Sequence, residues 1–534
     1  MRNGARLSII GGVFALMVGG AGYGAWNLLS TDSGGSGGPG GSTSDKSGPP
    51  SADEVRDVTG KFFEAWENGK ADDAARLTNF SSDATGLLGT FSKVKVTPGK
   101  ASGTQVPYKV SATATYEGKS KTFSYESSLK VVRGNTTKEP LVDWDPSVVH
   151  PDLKKDDTLK LGEAEAAPIK ALDRNGKELT EDKYPSLGPI LGALREKYAE
   201  DAGGKPGVEL WIERAGDSDP DETLLTLEKG KPALLRTRLS ATVQAAAEKA
   251  VSKYPKSSVV AIQPSSGDIL AVANEQPFNT AFSGTLAPGS TMKMVSAATL
   301  IDQGVTSADK PAPCPPTATW QSRTIGNLKG MQPNENATLA NSFARSCNTA
   351  FVKYADELKV DDLTNEARNY FGIGANWQTG IESFDGRVPA SGGGTTAENL
   401  IGQGEVQMNP LNLASIAATV KAGAFHQPIL VPASYGDRQL ATAKPLSGST
   451  AVQLRQMMRL TATSNIGTAT RVMAGLGGDI GAKTGSAEVD GAAKSNSSFA
   501  GYRDNVAAAA LVEQGGHGGD AAGPIVAEVL RAGS

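Results

Sequence analysis

From Ser51 the apolar positions Val55, Val58, Phe62 and Trp66 recur at helical spacing, behind a Ser51-x-x-Glu54 capping box and ahead of an Asn68-Gly69 stop. The period then changes to two. Val106, Tyr108, Val110, Ala112, Ala114 and Tyr116 alternate with other residues up to Glu117-Gly118, and Phe123, Tyr125, Leu129 and Val131 alternate after it, which predicts a hairpin. A helix packed on a curved sheet needs large apolar side chains, so these aromatic residues read as core filling rather than as the lining of a ligand pocket. Residues 154–236 are less regular. A helix near 188–200 and alternating runs at Val208, Leu210, Ile212 and at Leu225, Leu227 predict a spacer or pedestal without a chemical motif.

From Leu239 the texture changes again, to an Ala-rich helix over 241–251, a strand over 259–262, a turn at Ser265 to Asp268 and a strand over 269–273. Long helical, Gly-punctuated sequence is expected from there to about Gly423. Strands return at 498–502 and 506–512, and a helix closes the chain from Pro524. Strands at both ends of this stretch imply that its two ends pair in one antiparallel sheet. The fold class is therefore α+β and multidomain.

Ahead of all this, Leu7 to Leu29 carries no charge and would span roughly 35 Å as a helix. With Arg2 and Arg6 before it, it reads as a single transmembrane anchor that leaves the bulk of the chain outside the cytoplasm; a cleaved signal peptide is the rival reading. Residues 31–50, rich in Gly, Ser and Pro, read as a flexible tether. The expected organisation is thus 1–30 cytoplasmic stub and anchor, 31–50 linker, 51–153 first folded unit, 154–236 pedestal and 237–534 main domain.

Charge and rare residues narrow the chemistry. With 53 basic and 57 acidic residues, a net of -4 suggests neither nucleic acid nor a polyanionic surface as partner. Two cysteines and three histidines show no zinc-type spacing, so no metal site is expected. A Ser-His-Asp triad is disfavoured too, because His150 precedes a proline and His517 lies between glycine pairs, positions that belong more often to solvated loops.

The chemistry centres on Ser290 and Lys293, one helical turn apart on a predicted buried helix that follows Pro288-Gly289. An amine held neutral by burial can take the serine proton. The same spacing occurs at Ser92/Lys95 and Ser127/Lys130, but there on alternating stretches, where i and i+3 point to opposite faces. Further along come Ser346-Cys347-Asn348 and Lys483-Thr484-Gly485, at gaps of roughly 56 and 137 residues. Alone, the first could be a helix cap and the second a turn after a strand over 478–482.

Together the three pieces resemble the active-site motifs of penicillin-binding proteins and serine β-lactamases. Gly402-Gln403-Gly404 through Pro410-Leu411 is similar to a segment of class B penicillin-binding proteins, and Phe499 to Tyr502 to the strand after Lys-Thr-Gly; Ser498 stands where a tryptophan would be expected. The stretch Val142 to Leu153, with Trp144 to Pro151 at its heart, resembles the nuclear-transport-factor-like N-terminal domain of methicillin-resistance-type relatives. The resemblance implies a penicillin-binding/β-lactamase-like fold behind an N-terminal cone-like domain, and a monofunctional, serine-type D,D-transpeptidase of the bacterial cytoplasmic membrane. It implies peptidoglycan stem peptides as substrates, β-lactams as inhibitors, a membrane glycan polymerase as a candidate partner and no cofactor. It implies Ser290 as nucleophile, Lys293 as base, Ser346 and Asn348 as proton relay and amide holder, and Lys483 as positive charge. Thr484, Gly485 and Ser486 would bind substrate, with the backbone N–H groups of Ser290 and Ser486 as oxyanion hole. Cys347 is either a buried small residue or half of a disulfide with Cys314. A D,D-carboxypeptidase or β-lactamase remains a rival of the same chemistry, and a β-lactam sensor one of another class. The absence of a Glu-x-x-Leu-Asn stretch stands against a class A β-lactamase, and the few residues, about six, expected on the cytoplasmic side stand against a sensor; the carboxypeptidase stays open.

Overall fold

The computed structural model describes residues 48–533 apart from 165–167, 217–219 and 490. The predicted anchor at Leu7 to Leu29 lies outside the described residues, as does most of the tether. Among the described residues no helix is long and apolar enough to cross a membrane.

The first unit forms as its pattern dictates. Helix α1 (Ala52–Glu67) begins with a complete capping box, Ser51 Oγ accepting from Glu54 N–H and the Glu54 carboxylate from Ser51 N–H. It buries Val55, Val58, Phe62 and Trp66 against an antiparallel sheet of strands β1 (Lys93–Pro98), β2 (Gln105–Tyr116), β3 (Lys119–Arg133) and β4 (Pro140–Asp143), in that order. The β2–β3 turn is Glu117-Gly118, both with positive φ (45° and 79°), the two-residue type whose twist matches the flanking strands. Val106, Tyr108, Val110, Ala112 and Ala114 fill the buried face of β2. Lys95 and Lys130 lie exposed on β1 and β3, so neither repeats the Ser290–Lys293 geometry. The placement of His150 in a solvated loop is corrected: it is 5% exposed and packs 4.5 Å from the Tyr125 ring, because the chain folds back over the sheet here.

Residues 154–236 divide their apolar side chains between their neighbours. Strands β5 (Thr158–Glu163), β6 (Val208–Glu213) and β7 (Glu222–Glu228) make a small sheet whose Leu210 and Ile212 join the first core. Helix α2 (Gly188–Lys197) instead sends Ile190, Leu191 and Leu194 into the core of the C-terminal domain. It ends short of the predicted Glu200, because Tyr198 turns inward and donates its hydroxyl to Gly380 O.

The C-terminal domain is built on one sheet. Its elements are α3 (Ala241–Val251), β8 (Ser257–Ile262), β9 (Ile269–Asn274), α4 (Lys293–Asp302), α5 (Pro410–Ala422), α6 (Gly448–Thr463), β10 (Ile480–Ala487), β11 (Asn496–Arg503), β12 (Val506–Val512) and α7 (Ala522–Ala532). The strand order is β9-β8-β12-β11-β10, every neighbour antiparallel, so first and last strands do pair, Ser257 facing Val512. Alternate residues on β8 serve different cores. Val259 and Ala261 pack with α3 and α7, and Val260 and Ile262 with α4 and α5. Covering both faces explains why these strands read as continuous apolar runs. Between α4 and α5 the expected long helices are absent. Short helices (Leu339–Ala344, Thr349–Val352, Asp362–Asn369, Gly394–Leu400) and a hairpin (Thr317–Trp320 with Arg323–Gly326) stand there; Leu339 to Phe371 holds no glycine or proline, and the first two helices are parted where Ser346 takes φ +60°.

Candidate active site

Ser290 lies in a 3₁₀ turn (Gly289–Met292) that runs directly into α4 at Lys293. Gly289 has φ +58°, and a Cβ there would stand 2.5 Å from Ser486 O, so glycine lets this turn press against β10. One helical turn on, Lys293 Nζ reaches Ser290 Oγ at 3.0 Å. The same amine donates to Ser346 O (2.9 Å) and Asn348 Oδ1 (2.7 Å). Lys293 is fully buried. That desolvation, and secondarily the charge of Lys483, holds its amine well below the ordinary lysine value.

Lys483, Thr484 and Gly485 sit inside β10, at the sheet edge, and not in a turn after a strand. Lys483 Nζ donates to Ser346 Oγ and Thr484 O, both at 2.8 Å, and burial pulls it down to about 7. Ser346 therefore stands between the two lysines, its carbonyl toward one and its hydroxyl toward the other. It has φ +60°, a strained setting for a residue with a side chain. The neighbouring Cys347 is bonded to Cys314, closing a 33-residue separation that in a chain-entropy account contributes about 3–4 kcal/mol. Asn348 precedes the helix Thr349–Val352 but makes no side-chain cap, so the cap reading fails; its Oδ1 serves Lys293 instead.

The glycines explain how closely these elements meet. A Cβ on Gly485 would lie 2.2 Å from Ser498 Oγ and 2.9 Å from Pro288 O. Ser498, opposite Gly485 on β11, donates to Pro288 O at 2.6 Å, so the residue found in place of a tryptophan ties the strand to the turn before the nucleophile. Gly402 O accepts from Gly289 N–H at 2.8 Å, and a Cβ on Gly402 would stand 1.9 Å from Gly289 O at φ +76°. The Gly402-Gln403-Gly404 segment thus buttresses the serine turn. Gly402→Ala is expected to destabilise the protein by about 2 kcal/mol or more and to slow acylation, read by denaturant unfolding and by labelling rate.

Three contributors carried no signal in the sequence. Asn327 Oδ1 accepts from the N–H groups of Asn348 (2.8 Å) and Thr349 (3.2 Å), fixing the strand of chain that bears Asn348. Thr468 Oγ1 lies 2.7 Å from Thr484 Oγ1. His517 does lie in an exposed loop, as expected, yet the loop is part of the site, with Nδ1 3.4 Å from Ser486 Oγ. A cleft of about 850 Å³ joins these groups, lined by Ser290, Asn348, Gln403, Thr484, Ser486 and His517 among others.

A serine hydroxyl bonded to a desolvated lysine, beside a second buried lysine and a strand edge narrowed by glycine, is the machinery of an active-serine acyl-transfer enzyme. Residues 257–531 match the penicillin binding protein transpeptidase domain, and the chain belongs to that family. It is 30% identical over 345 residues to the peptidoglycan D,D-transpeptidase PbpA of Mycolicibacterium smegmatis, a match covering 52% of this chain and 68% of the relative. Pseudomonas aeruginosa PBP2 in complex with WCK 5153 shares the fold at TM-score 0.53 and 22% identity, over 69% of this chain and 96% of that one. So does a chain from a peptidoglycan synthase complex solved for how it coordinates polymerization and crosslinking, at TM-score 0.56 and 20% identity, over 71% and 92%.

Proposed function

We propose that the protein is a class B, monofunctional D,D-transpeptidase that cross-links peptidoglycan stem peptides through an acyl-enzyme on Ser290. The observation that carries this reading is the 3.0 Å contact between Ser290 Oγ and a fully buried Lys293, whose amine desolvation holds well below the ordinary lysine value. Ser290 attacks the carbonyl of the penultimate D-alanine while Lys293 takes its proton. The backbone N–H groups of Ser290 and Ser486 hold the oxyanion. The proton returns to the departing D-alanine through Ser346, whose hydroxyl already touches Lys483. The hydroxyls of Thr484 and Ser486 bind the terminal carboxylate, with Lys483 as a nearby positive charge, and Asn348 binds the acyl-chain amide. An amine from a neighbouring strand then takes the acyl group. A β-lactam enters by the same first step and stays on Ser290. The relative named peptidoglycan D,D-transpeptidase supports the reaction.

The same reading extends to the rest of the chain. Helix α1 on a four-stranded antiparallel sheet supports a nuclear-transport-factor-like N-terminal domain, of the kind found in methicillin-resistance-type relatives. Residues 154–236, sharing side chains with both neighbours, act as the rigid bridge between them. Leu7 to Leu29 anchors the chain in the cytoplasmic membrane, with the catalytic domain outside. A membrane glycan polymerase is the natural partner, supported by the likeness to a chain of a synthase complex.

The test is a labelled penicillin followed over time, beside a stem-peptide donor with and without an amine acceptor. Label that persists and product that needs the amine are expected. Rapid loss of label would point to a β-lactamase, and amine-independent release of D-alanine as the main product to a carboxypeptidase.

A further inference from the structure

We propose that His517 sets this enzyme's preference for substrates ending in a free carboxylate, as a positioning residue acting through the Ser486 hydroxyl. The proposal rests on the acyl-transfer reading above. The loop between β12 and α7 that carries His517 is firmly built: Gly516 N–H donates to Ser495 O (2.9 Å), Ser497 Oγ to His517 O (2.8 Å) and His517 N–H to Asp520 Oδ2 (3.0 Å). It also presses on the substrate-binding strand, since a Cβ on Gly518 would lie 2.7 Å from Gly485 N. The imidazole is therefore delivered to the cleft from a fixed backbone, with Nδ1 3.4 Å from Ser486 Oγ.

The chemistry of the contact decides its direction. A carboxylate only accepts hydrogen bonds, so Ser486 must spend its single proton on the substrate. That requires the imidazole to donate through Nδ1–H to Ser486 Oγ. An imidazole accepting at Nδ1 would hold the hydroxyl proton for itself and turn the oxygen's lone pairs to the carboxylate. Other charges line this end of the cleft without such a contact: Arg471 faces Asp520 at 3.9 Å, while Lys494 and Glu488 stand on the wall. Lys483 is already committed to Ser346 Oγ and Thr484 O. His517 is thus the group placed to orient the hydroxyl.

The experiment compares acylation of the full chain by benzylpenicillin and by its methyl ester, which differ only at the carboxylate. His517→Ala is expected to lower the free-acid rate about tenfold while leaving the ester rate unchanged, the scale of one hydrogen bond to a charged group. His517→Asn, whose Nδ2 is bonded to Cγ as Nδ1 is, is expected to restore most of the acid-to-ester ratio. Equal losses with acid and ester in His517→Ala, or an unchanged ratio, would overturn the proposal. A parent protein that neither compound acylates would overturn the acyl-transfer reading with it, whereas a normally acylated parent whose ratio ignores His517 overturns this proposal alone.

Discussion

Ser290→Ala is expected to abolish covalent labelling by penicillin and to lower transpeptidation by at least about 10³-fold, while the protein still unfolds at nearly the parental denaturant concentration. The hydroxyl is the atom that forms the acyl bond, and Lys293 keeps two other partners, Ser346 O and Asn348 Oδ1, when it is gone. Fold and function should therefore separate cleanly. Lys293→Met is expected to fall almost as far in acylation rate, because an unassisted serine hydroxyl is a poor nucleophile. The double variant should be no worse than either single one, since the two side chains act as a unit. Labelled Ser290→Ala protein, or single losses that multiply in the double variant, would remove the pair from the mechanism.

Lys483→Met should inactivate the enzyme and make it more stable. The folded protein holds this amine at about 7 through burial, whereas the unfolded chain restores the ordinary lysine value near 10.4. Between those values the unfolded state binds more protons than the folded one, so stability rises with pH across that window. Below about pH 7 the full cost of the buried charge is present; as pH rises toward 10 it fades. Methionine removes the charge and leaves Ser346 Oγ without its donor, an offset of about 1–3 kcal/mol. The net gain expected in denaturant unfolding is of order 1–3 kcal/mol at pH 6, shrinking toward pH 10. A variant that is less stable at every pH would show that the hydrogen bonds of Lys483 outweigh its desolvation.

Where the determinants are local, they could be read along the chain. The Ser51 capping box sets the start of α1, and the Glu117-Gly118 turn sets the β2–β3 hairpin, because each depends on a few adjacent residues. Ser290 and Lys293 are legible for the same reason, being one helical turn apart. Contacts made across the fold leave no such trace. Thr468 meets Thr484, Asn327 meets Asn348 and His517 meets Ser486 only once the sheet and its flanking loops are assembled. Residues 154–236 read only as a pedestal, because the apolar side chains of their described part join the cores on either side. The stretch between α4 and α5 misled in the opposite way: apolar residues suited to helices are packed there around a hairpin and short turns.

The pairing of β8 with β12 joins nearly the first and nearly the last residues of the catalytic domain. A chain emerging from the ribosome cannot form the centre of that sheet until almost all of it has been made, and contacts of such long sequence separation are slow to form. Lys483 arrives on β10 only shortly before β12, so the two lysines that flank Ser346 meet late. The order of synthesis thus completes the sheet last at its middle, and a chain cut before Val506 would possess Ser290 and β10 but lack the strand that joins β8 to β11.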